Sequence, residues 1–286
     1  MMRLMVLTLA ACAATYAHAQ TPLPSTAIYP WKPDHKAANS LVNRIPPPPG
    51  ARRLAVLPGS FSEWLRHIPI QPGQPPVLLF NGQKKPKQNV HTHVLDIDIG
   101  KRDLQQCADA VMRLKAEHLF SAKQTDAIHF NFTSGDRADY STWARGKRPM
   151  ITGNQVAWLP RAEADHSYSN FRKYMNCVFT YAGTASLSKE LVKRKPGTPI
   201  VAGDIFIRGG FPGHAVIVMD TAVKDETYYF VLAQSYMPAQ SIHILKDPNH
   251  PDGSPWYKTP IGEKLITPEW TFKASERMRF AESDAQ

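Results

Sequence analysis

Cys107 and His214 are the residues of this chain whose types and settings suit nucleophilic catalysis. The residues around Cys107 predict a helix, with the cysteine in its first turns. Free backbone N–H groups and the helix dipole stabilise a thiolate there, so we expect a lowered thiol pKa. His214 follows a glycine-rich turn and opens a predicted strand, where its imidazole is placed to act as the base that activates the thiol.

A third polar group is needed to orient the imidazole of a cysteine–histidine pair. Gln234 closes a β-rich segment that is predicted to neighbour the strand of His214, and we assign it this orienting role. Three other polar residues in the same part of the chain remain open alternatives: Asp220, Gln240 and His243.

Amide hydrolysis passes through a tetrahedral intermediate whose oxyanion needs hydrogen-bond donors. The backbone N–H of Cys107 is one candidate, because N–H groups at a helix start have no partner within the helix. The side chains of Gln105 and Gln106 directly precede the cysteine and are further candidates. Gly213, next to the histidine, completes the residues for which we predict contact with substrate or oxyanion.

Periodic apolar residues predict the helix that carries the cysteine. Asp103 and Gln106 have the spacing of a capping pair at its start. Apolar residues then recur on one face, and the helix is predicted to end near Phe120. Further helices are predicted from Phe61 to His67, behind the capping-box spacing of Ser60 and Glu63, and over residues 168–181 and 184–193.

The carboxyl-terminal half is β-rich. Strands are predicted at Asp204–Arg208, Ala215–Asp220, Tyr228–Ala233 and Ser241–Leu245, with Gly209–Gly213 as the tight turn before the histidine. Earlier strands are predicted at 77–80, before the hairpin dipeptide Asn81-Gly82, at 94–99 and at 128–132. Residues 136–165 and 248–268 are predicted to be loops. Helices followed by a run of antiparallel strands predict an α+β fold.

Two segments resemble the catalytic segments of a known superfamily. Asp103–Val111, with Gln106-Cys107 at a helix start, is similar to the cysteine helix of CHAP amidases. Gly203–Ile207, a turn and Gly213–Val218 resemble the Gly-Asp strand and the histidine strand of CHAP and NlpC-type peptidases. The order of the two segments also matches. The chain as a whole resembles a family of exported bacterial proteins known only as a domain of unknown function.

This resemblance implies a papain-like core, in which the cysteine helix packs on an antiparallel sheet. The long segment between residues 121 and 198 would then be a helical and loop insertion. Many members of the superfamily cleave peptidoglycan stem peptides or other amide bonds. The implied function is therefore an exported cysteine hydrolase that uses Cys107 and His214 on cell-envelope material. The alternative is a non-catalytic papain-like envelope protein that binds glycan or peptide.

Cys107 also has interpretations that involve no chemistry. In an oxidising compartment it could form a disulfide with Cys177, the other cysteine left after export. It could equally be an inert thiol on the apolar face of its helix. His214 could be a turn histidine whose ring binds the backbone.

His91 and His93 raise the question of a metal site, with Asp96 and Asp98 close in sequence. On a strand the two histidines share one face and the two aspartates point to the other. One face thus supplies two ligands, whereas a zinc site needs three or four. We predict no metal site and no cofactor.

Several large aromatic side chains fall in the predicted loops. Exposed rings on loops suit stacking against sugars, whereas core packing is the more common use of such residues. We predict core packing for these residues: Tyr140, Trp143, Trp158, Trp256, Tyr257 and Trp270.

The amino-terminal residues predict export. Arg3, the apolar segment Leu4–Ala14 and the small-residue site Ala17-His18-Ala19 form a secretory signal peptide, with cleavage after Ala19. The mature protein is then periplasmic or extracellular. Leu9–Cys12 also resembles a bacterial lipobox, so a lipoprotein anchored at Cys12 is the alternative.

The formal net charge of +10 favours anionic partners. Export argues against nucleic acid, so the predicted partners are a cell-wall or other anionic envelope polymer and a peptide substrate. Basic residues that only maintain solubility are the alternative. The predicted organisation is a signal peptide over 1–19, a proline-rich tether or strap over 20–51, a single α+β domain over 52–280 and a tail over 281–286.

Overall fold

The computed structural model describes residues 27–281. The predicted signal peptide, its cleavage site after Ala19, the lipobox cysteine Cys12 and tail residues 282–286 lie outside the described residues. Between residues 27 and 281, none of the helices combines the length and apolarity needed to cross a membrane.

The α-helices of the described residues are short, except for two of 15 and 14 residues. Their bounds are α1 Leu41–Arg44, α2 Phe61–Arg66, α3 Cys107–Ser121, α4 Tyr140–Ala144, α5 Tyr168–Tyr181 and α6 Thr184–Glu190. The prediction for α5 is confirmed, and Ser167 caps it by accepting the Asn170 N–H at 3.2 Å. The prediction for α2 is confirmed to within one residue, with Ser60 as its cap. The helix predicted over 184–193 ends early, at Glu190.

The strands form one large sheet and three separate two-stranded hairpins. Their bounds are β1 Arg52–Arg53, β2 His91–Val94, β3 His129–Asn131, β4 Arg137–Asp139, β5 Lys147–Thr152, β6 Gln155–Pro160, β7 Val192–Lys193, β8 Ile205–Arg208, β9 His214–Lys224, β10 Thr227–Gln234, β11 His243–Leu245, β12 Trp256–Lys258, β13 Lys264–Ile266, β14 Thr271–Lys273 and β15 Arg277–Arg279. The large sheet has the order β2-β11-β10-β9-β8-β15-β7, with β1 on β9 and β12 on β10. Its pairings are antiparallel, so the fold is α+β, as predicted.

Strand β9 is the centre of the fold because both of its faces are covered. Ala215, Ile217 and Met219 belong to the core on the side of α3 and α5. Val216 and Val218 alternate with them and belong to a second core, on the side of the β13–β14 hairpin. A strand covered on both faces has a nearly continuous apolar sequence. Burial of each such side chain stabilises the fold by about 1.5–3 kcal/mol, which anchors the start of β9 firmly.

Both segments predicted to be loops contain regular structure, so these predictions are wrong. Residues 136–165 hold α4 and the β5–β6 hairpin, and residues 248–268 hold β12 and β13. Their aromatic side chains supply the burial that organises them. Core packing is confirmed for the four that are buried, namely Tyr140, Trp143, Trp256 and Tyr257.

Two early strands are also placed differently from the prediction. The strand predicted at 94–99 lies at His91–Val94, and the residues after it turn back to meet Pro69 and Ile70. Residues 77–80 form only single bridges, from Leu78 to Lys84 and from Leu79 to Gln240. The latter bridge brings this segment beside the loop that follows β10.

The proline-rich segment lies on the domain as a strap over its described part. Tyr29, Leu41 and Ile45 are buried in the main core, so the folded part starts well before the predicted residue 52. The Trp256 indole donates a hydrogen bond to the Pro46 carbonyl oxygen at 2.7 Å. Proline carbonyls remain free to accept even where proline cannot donate, which is how a proline run can be attached without joining a sheet.

Candidate active site

The structure brings Cys107, His214 and Gln234 to one end of the sheet. Cys107 is the first residue of α3, His214 the first of β9 and Gln234 the last of β10. Because β9 and β10 are antiparallel neighbours, the start of one lies beside the end of the other. Helix α3 packs on β9, which places the amino terminus of the helix at the same end.

The helix starts later than the capping pattern predicts. Gln106 is its cap, and the Gln106 N–H donates to Asp109 Oδ2 at 3.0 Å. Asp103, the predicted cap, instead accepts the Ala239 N–H at 2.6 Å and the Gln106 amide at 3.0 Å. The loop after β10 therefore holds Asp103 outside the helix, and Cys107 becomes the first helical residue.

A second contact fixes the cysteine segment to the end of β10. The buried Ser235 hydroxyl lies 2.9 Å from the carbonyl oxygens of Gln105 and Gln240. Gln105 precedes the cysteine by two residues, and Ser235 follows Gln234 directly. Ser235 thus connects the segment that carries the nucleophile candidate to the end of β10, which carries the orienting candidate.

The Cys107 thiol lies against the backbone N–H of Ala215, the residue after His214. Burial raises the thiol pKa to about 11, and the Asp109 carboxylate adds to the rise. The N–H groups of Ala108, Ala215 and Cys107 itself lower this pKa, but by less. The predicted lowering of the pKa is therefore wrong, because removal of the sulfur from water outweighs the helix start. The thiol is neutral near pH 7.

The His214 imidazole is buried among aromatic rings, with 1% of the residue exposed. Its ring centroid lies 4.7 Å from that of Tyr236, 5.3 Å from Trp270 and 5.8 Å from Phe272. Burial lowers the pKa of His214 to about 4, the Gln234 hydrogen bond raises it and Lys85 lowers it. The imidazole is therefore neutral and able to accept a proton near pH 7.

Gln234 occupies one nitrogen of this imidazole. Nε2 of His214 donates to Oε1 of Gln234 at 2.9 Å. The other nitrogen, Nδ1, has no hydrogen-bond partner among residues 27–281. Gln234 therefore has the geometry predicted for an orienting residue, and Nδ1 is the ring nitrogen that carries no hydrogen bond, either from Cys107 or from any other of these residues.

Two charged residues that sequence reasoning missed continue the contacts beyond Gln234. Its amide nitrogen donates to Glu269 Oε2 at 2.7 Å, and Glu269 Oε1 pairs with Lys85 Nζ at 2.5 Å. Glu269 lies in the connection between β13 and β14, and no spacing pattern points to it. Lys85 belongs to the basic stretch Lys84–Lys87, which resembles an exposed segment, yet its residue is only 6% exposed. Two features indicate weakly that this segment is anchored: the adjacent Pro86 and the bridge between Lys84 and Leu78.

The three predicted oxyanion or substrate residues have different surroundings. Gln105 is buried, and its Oε1 accepts from Arg113 at 2.6 Å, so its side chain faces away from the thiol. Gln106 makes a solvent-side bond to Asp103 and keeps its amide at the helix start. Gly213 packs closely within its turn, since a Cβ there would lie 2.3 Å from Thr184 Oγ1 and 2.4 Å from the Gly210 oxygen.

None of the three alternative orienting residues has a hydrogen bond to His214. Asp220 pairs with Arg53 and Arg66. Gln240 Nε2 donates to the Pro238 carbonyl oxygen at 2.9 Å. His243 contacts Gln234 at 3.3 Å and belongs to the same cluster without being one of the partners of His214.

The cysteine pair does not form a disulfide in this structure. Cys107 and Cys177 are both free thiols, each partly exposed. A disulfide-stabilised envelope protein is therefore not supported.

Residues 27–281 contain no group of three or more His, Cys, Asp or Glu side chains placed to hold a metal ion. His91 Nε2 lies 3.1 Å from the Pro75 oxygen, and His93 Nδ1 lies 3.1 Å from Thr92 Oγ1. Asp96 pairs with Lys32, and Asp98 pairs with Arg113 and Arg172. A cavity of about 590 Å³ opens beside the two histidines, but neither Cys107 nor His214 lines it.

Comparison with known proteins identifies a family but no characterised relative. A family model described as "domain of unknown function (4846)" matches residues 41–279. No curated protein and no solved structure matches the chain.

Proposed function

We propose that this chain, which belongs to the domain of unknown function (4846) family, is an exported cysteine hydrolase that cleaves an amide or peptide bond in cell-envelope or peptidoglycan material. One observation carries the proposal. A cysteine at a helix start lies against the backbone N–H of Ala215, the residue after a buried histidine whose Nε2 is held by Gln234 and whose Nδ1 has no hydrogen-bond partner among residues 27–281.

In the proposed reaction, Cys107 Sγ bonds to the carbonyl carbon while its proton moves to Nδ1 of His214. The tetrahedral oxyanion is stabilised by the Cys107 backbone N–H, with the Gln106 amide as a second donor candidate. The C–N bond then breaks, and Nδ1 returns the proton to the departing amine. Water attacks the thioester and transfers a proton to Nδ1. When the acid leaves, that proton returns to sulfur and the thiol re-forms.

The resting pair in this mechanism is neutral. Burial raises the thiol pKa to about 11 and lowers the His214 pKa to about 4, which favours the neutral pair over a thiolate–imidazolium pair at neutral pH. Proton transfer must therefore accompany attack on the substrate, with His214 as general base. General-base assistance of this kind contributes ~10²–10⁴-fold to a reaction rate.

The substrate and location follow from sequence features and from the family resemblance. The net charge of +10 favours an anionic wall polymer, and the predicted cleavage after Ala19 delivers the protein to that polymer. The cysteine helix on an antiparallel sheet is consistent with a papain-like core of the CHAP or NlpC type. Amino-terminal sequencing of the protein from its native host tests this location. Cleavage after Ala19 supports release, whereas a lipid on Cys12 would indicate an anchored lipoprotein.

The function is tested by incubating the protein with purified peptidoglycan and with synthetic stem peptides, and following new termini by mass spectrometry. We expect Cys107→Ala to abolish cleavage and Cys177→Ala to retain it. Cys177 is the matched control, because it is also a partly exposed free thiol whose pKa burial raises to about 11. Equal cleavage by wild type and Cys107→Ala would overturn the proposal.

A second candidate is a papain-like envelope protein that binds glycan or peptide without catalysis. The neutral state of both His214 and Cys107 near pH 7 favours it. The exposed side chains of Phe211 (93%) and Met237 (60%), on the turns beside His214 and Gln234, would supply contact surface. In this case the protein would sediment with peptidoglycan, and Cys107→Ala would bind as tightly as wild type without any cleavage by either.

A further inference from the structure

We infer that Lys85 and Glu269 are positioning residues that keep the proton of neutral His214 on Nε2, so that Nδ1 can accept the thiol proton. This inference rests on the proposed function for its purpose, but not for its geometry. The two charged residues touch neither the thiol nor the imidazole in the contacts described above. They act through the orientation of one amide, that of Gln234.

The direction of each hydrogen bond in this series follows from its two charged members, Lys85 and Glu269. A lysine ammonium group only donates, and a carboxylate only accepts. Glu269 therefore needs a donor from Gln234, and the atom 2.7 Å from its Oε2 must be the amide nitrogen. This places the amide oxygen at His214, 2.9 Å from Nε2. A carbonyl oxygen can only accept, so Nε2 carries the hydrogen and Nδ1 presents a lone pair.

His243 reinforces the same direction from the other side of the amide. Its Nδ1 lies 2.8 Å from the Ser241 carbonyl oxygen and must donate to it. In the neutral ring Nε2 is then an acceptor, and it lies 3.3 Å from the amide nitrogen of Gln234. Burial lowers the pKa of His243 to about 3, which keeps this ring neutral. Both hydrogens of the Gln234 amide therefore have acceptors, Glu269 and His243.

Reversal of the amide would disable the histidine as a base. The amide nitrogen would then donate to His214 Nε2, and the ring hydrogen would move to Nδ1. Nδ1 would then carry a hydrogen in place of the lone pair that has to accept the thiol proton. Water cannot compensate for the reversal, because Gln234 is 2% exposed and His243 is 0% exposed. The charged pair thus selects the one tautomer that suits proton abstraction.

Lys85 serves this arrangement by holding Glu269 in place through a charge-assisted hydrogen bond in a nearly enclosed site. Its Nζ is 2.5 Å from Glu269, and the exposed fractions of the two side chains are 7% and 10%. Lys87 Nζ also donates to the Pro268 oxygen at 2.9 Å, so the basic stretch holds the loop that carries the glutamate. Without the ammonium group, Glu269 would lose the donor on its Oε1, and with it the fixed position from which its Oε2 accepts the Gln234 amide.

The test is ¹⁵N NMR of the His214 ring nitrogens near pH 7, in the full protein labelled on histidine. Wild type is expected to show Nε2–H with an unprotonated Nδ1. Glu269→Gln and Lys85→Met are each expected to give a detectable Nδ1–H population and at least about a tenfold fall in kcat with KM little changed. Asp139→Asn is the matched control, since Asp139 pairs with Arg137 outside this cluster, and it should leave the tautomer unchanged.

Two results would overturn the inference: wild-type His214 with its hydrogen on Nδ1, or an unchanged Nε2–H tautomer in a folded Glu269→Gln protein. If Glu269→Gln does not fold, Lys85→Met decides the question by the same measurement. Failure of the proposed function is distinguishable. A protein without cleavage activity whose His214 tautomer still shifts in Glu269→Gln would retain the inference and lose the hydrolase.

Discussion

Two buried polar clusters lie on the large sheet, and they differ in whether every polar atom has a hydrogen-bond partner. At Asp220, within β9, both carboxylate oxygens are occupied: Oδ1 by Arg66 at 2.7 Å and Oδ2 by Arg53 at 2.6 Å. The two guanidinium groups donate their remaining bonds to backbone carbonyl oxygens of Val42, Ile45 and Leu54. This cluster is closed, and it attaches the strap and α2 to the sheet.

The cluster at Gln234 starts in the same way, with a lysine–glutamate pair, but it does not close. It proceeds through the Gln234 amide to the His214 ring and ends at Nδ1, which has no hydrogen-bond partner among residues 27–281. The free thiol of Cys107 lies against the N–H of the next residue, Ala215. A structural cluster gains from every satisfied atom. An unpartnered ring nitrogen contributes nothing of this kind, which is why we propose this end of the sheet as the place of chemistry.

The largest expected effect on stability comes from opening the closed cluster. Arg66→Met removes one partner of a carboxylate that is 0% exposed, and we expect a fall of about 3 kcal/mol in the free energy of unfolding. Urea denaturation measures it. Arg137→Met is the control, because the Arg137–Asp139 pair is exposed and is expected to contribute less than about 1 kcal/mol. Equal losses would remove the distinction between the two kinds of ion pair.

Gln234→Leu tests the open cluster and is expected to lower activity much more than it lowers stability. It removes the Gln234 partner of His214 Nε2 and of Glu269 Oε2, which should lower the free energy of unfolding by about 1–3 kcal/mol. The folded variant should lose nearly all cleavage activity, measured as turnover of a stem peptide. Gln240→Leu is the control, since Gln240 is buried nearby and its side-chain amide donates only to the Pro238 carbonyl oxygen of its own loop. Full activity in Gln234→Leu would exclude the orienting role.

The pH dependence of turnover should reflect a neutral pair. Because the pKa of His214 is lowered to about 4, the base is unprotonated above that pH, and the acid limb of kcat/KM should lie near 4. The thiol stays protonated up to about pH 11, so no thiolate limb is expected at neutral pH. A bell-shaped profile with both limbs between pH 5 and 9 would instead indicate a thiolate–imidazolium pair.

Asp109→Asn sharpens the account of the thiol. Burial raises the thiol pKa most and the Asp109 carboxylate raises it further, whereas the amide oxygen of an asparagine could still accept the Gln106 N–H. We expect a lower thiol pKa and a few-fold faster alkylation of Cys107 at a fixed pH below it. Site-resolved mass spectrometry provides the rate. Slower alkylation in a folded variant would show that the helix start depends on the charge of Asp109.

The smallest effect on stability is expected at the rim of the site. Phe211 is 93% exposed, so Phe211→Ser should change the free energy of unfolding by less than about 0.5 kcal/mol. If this ring contacts substrate, KM should rise or wall binding should weaken. Leu57→Ser, at 77% exposure and distant in sequence, is the control. Unchanged binding and turnover would remove Phe211 from the substrate surface.

The elements that carry the site were largely predictable from sequence, because they rest on local patterns. The apolar face of α3 and the glycine turn before His214 placed both residues at element starts. Gln234 followed from strand order, since the end of β10 must neighbour the start of β9. The start of α3 was misplaced because a distant loop, through the Ala239 N–H, holds Asp103.

Long-range contacts and burial account for what sequence reasoning missed. Glu269 reaches Gln234 across 35 residues of sequence, and Lys85 reaches Glu269 across 184. No local spacing encodes such pairings. The thiol pKa was predicted in the wrong direction because the helix start is visible in sequence, whereas the depth of burial of the sulfur is not.

The most direct test of the central claim compares the two thiols of one molecule. Cys107 and Cys177 are both partly exposed, and burial raises both pKa values to about 11, but Cys107 lies against the N–H of Ala215, the residue that follows the proposed base His214. We predict that a peptide-based electrophile at pH 7 modifies Cys107 at least about 100-fold faster than Cys177, and that His214→Ala removes this advantage. Equal rates at the two cysteines, or a Cys107 advantage that survives His214→Ala, would contradict the assignment of Cys107 and His214 as nucleophile and base.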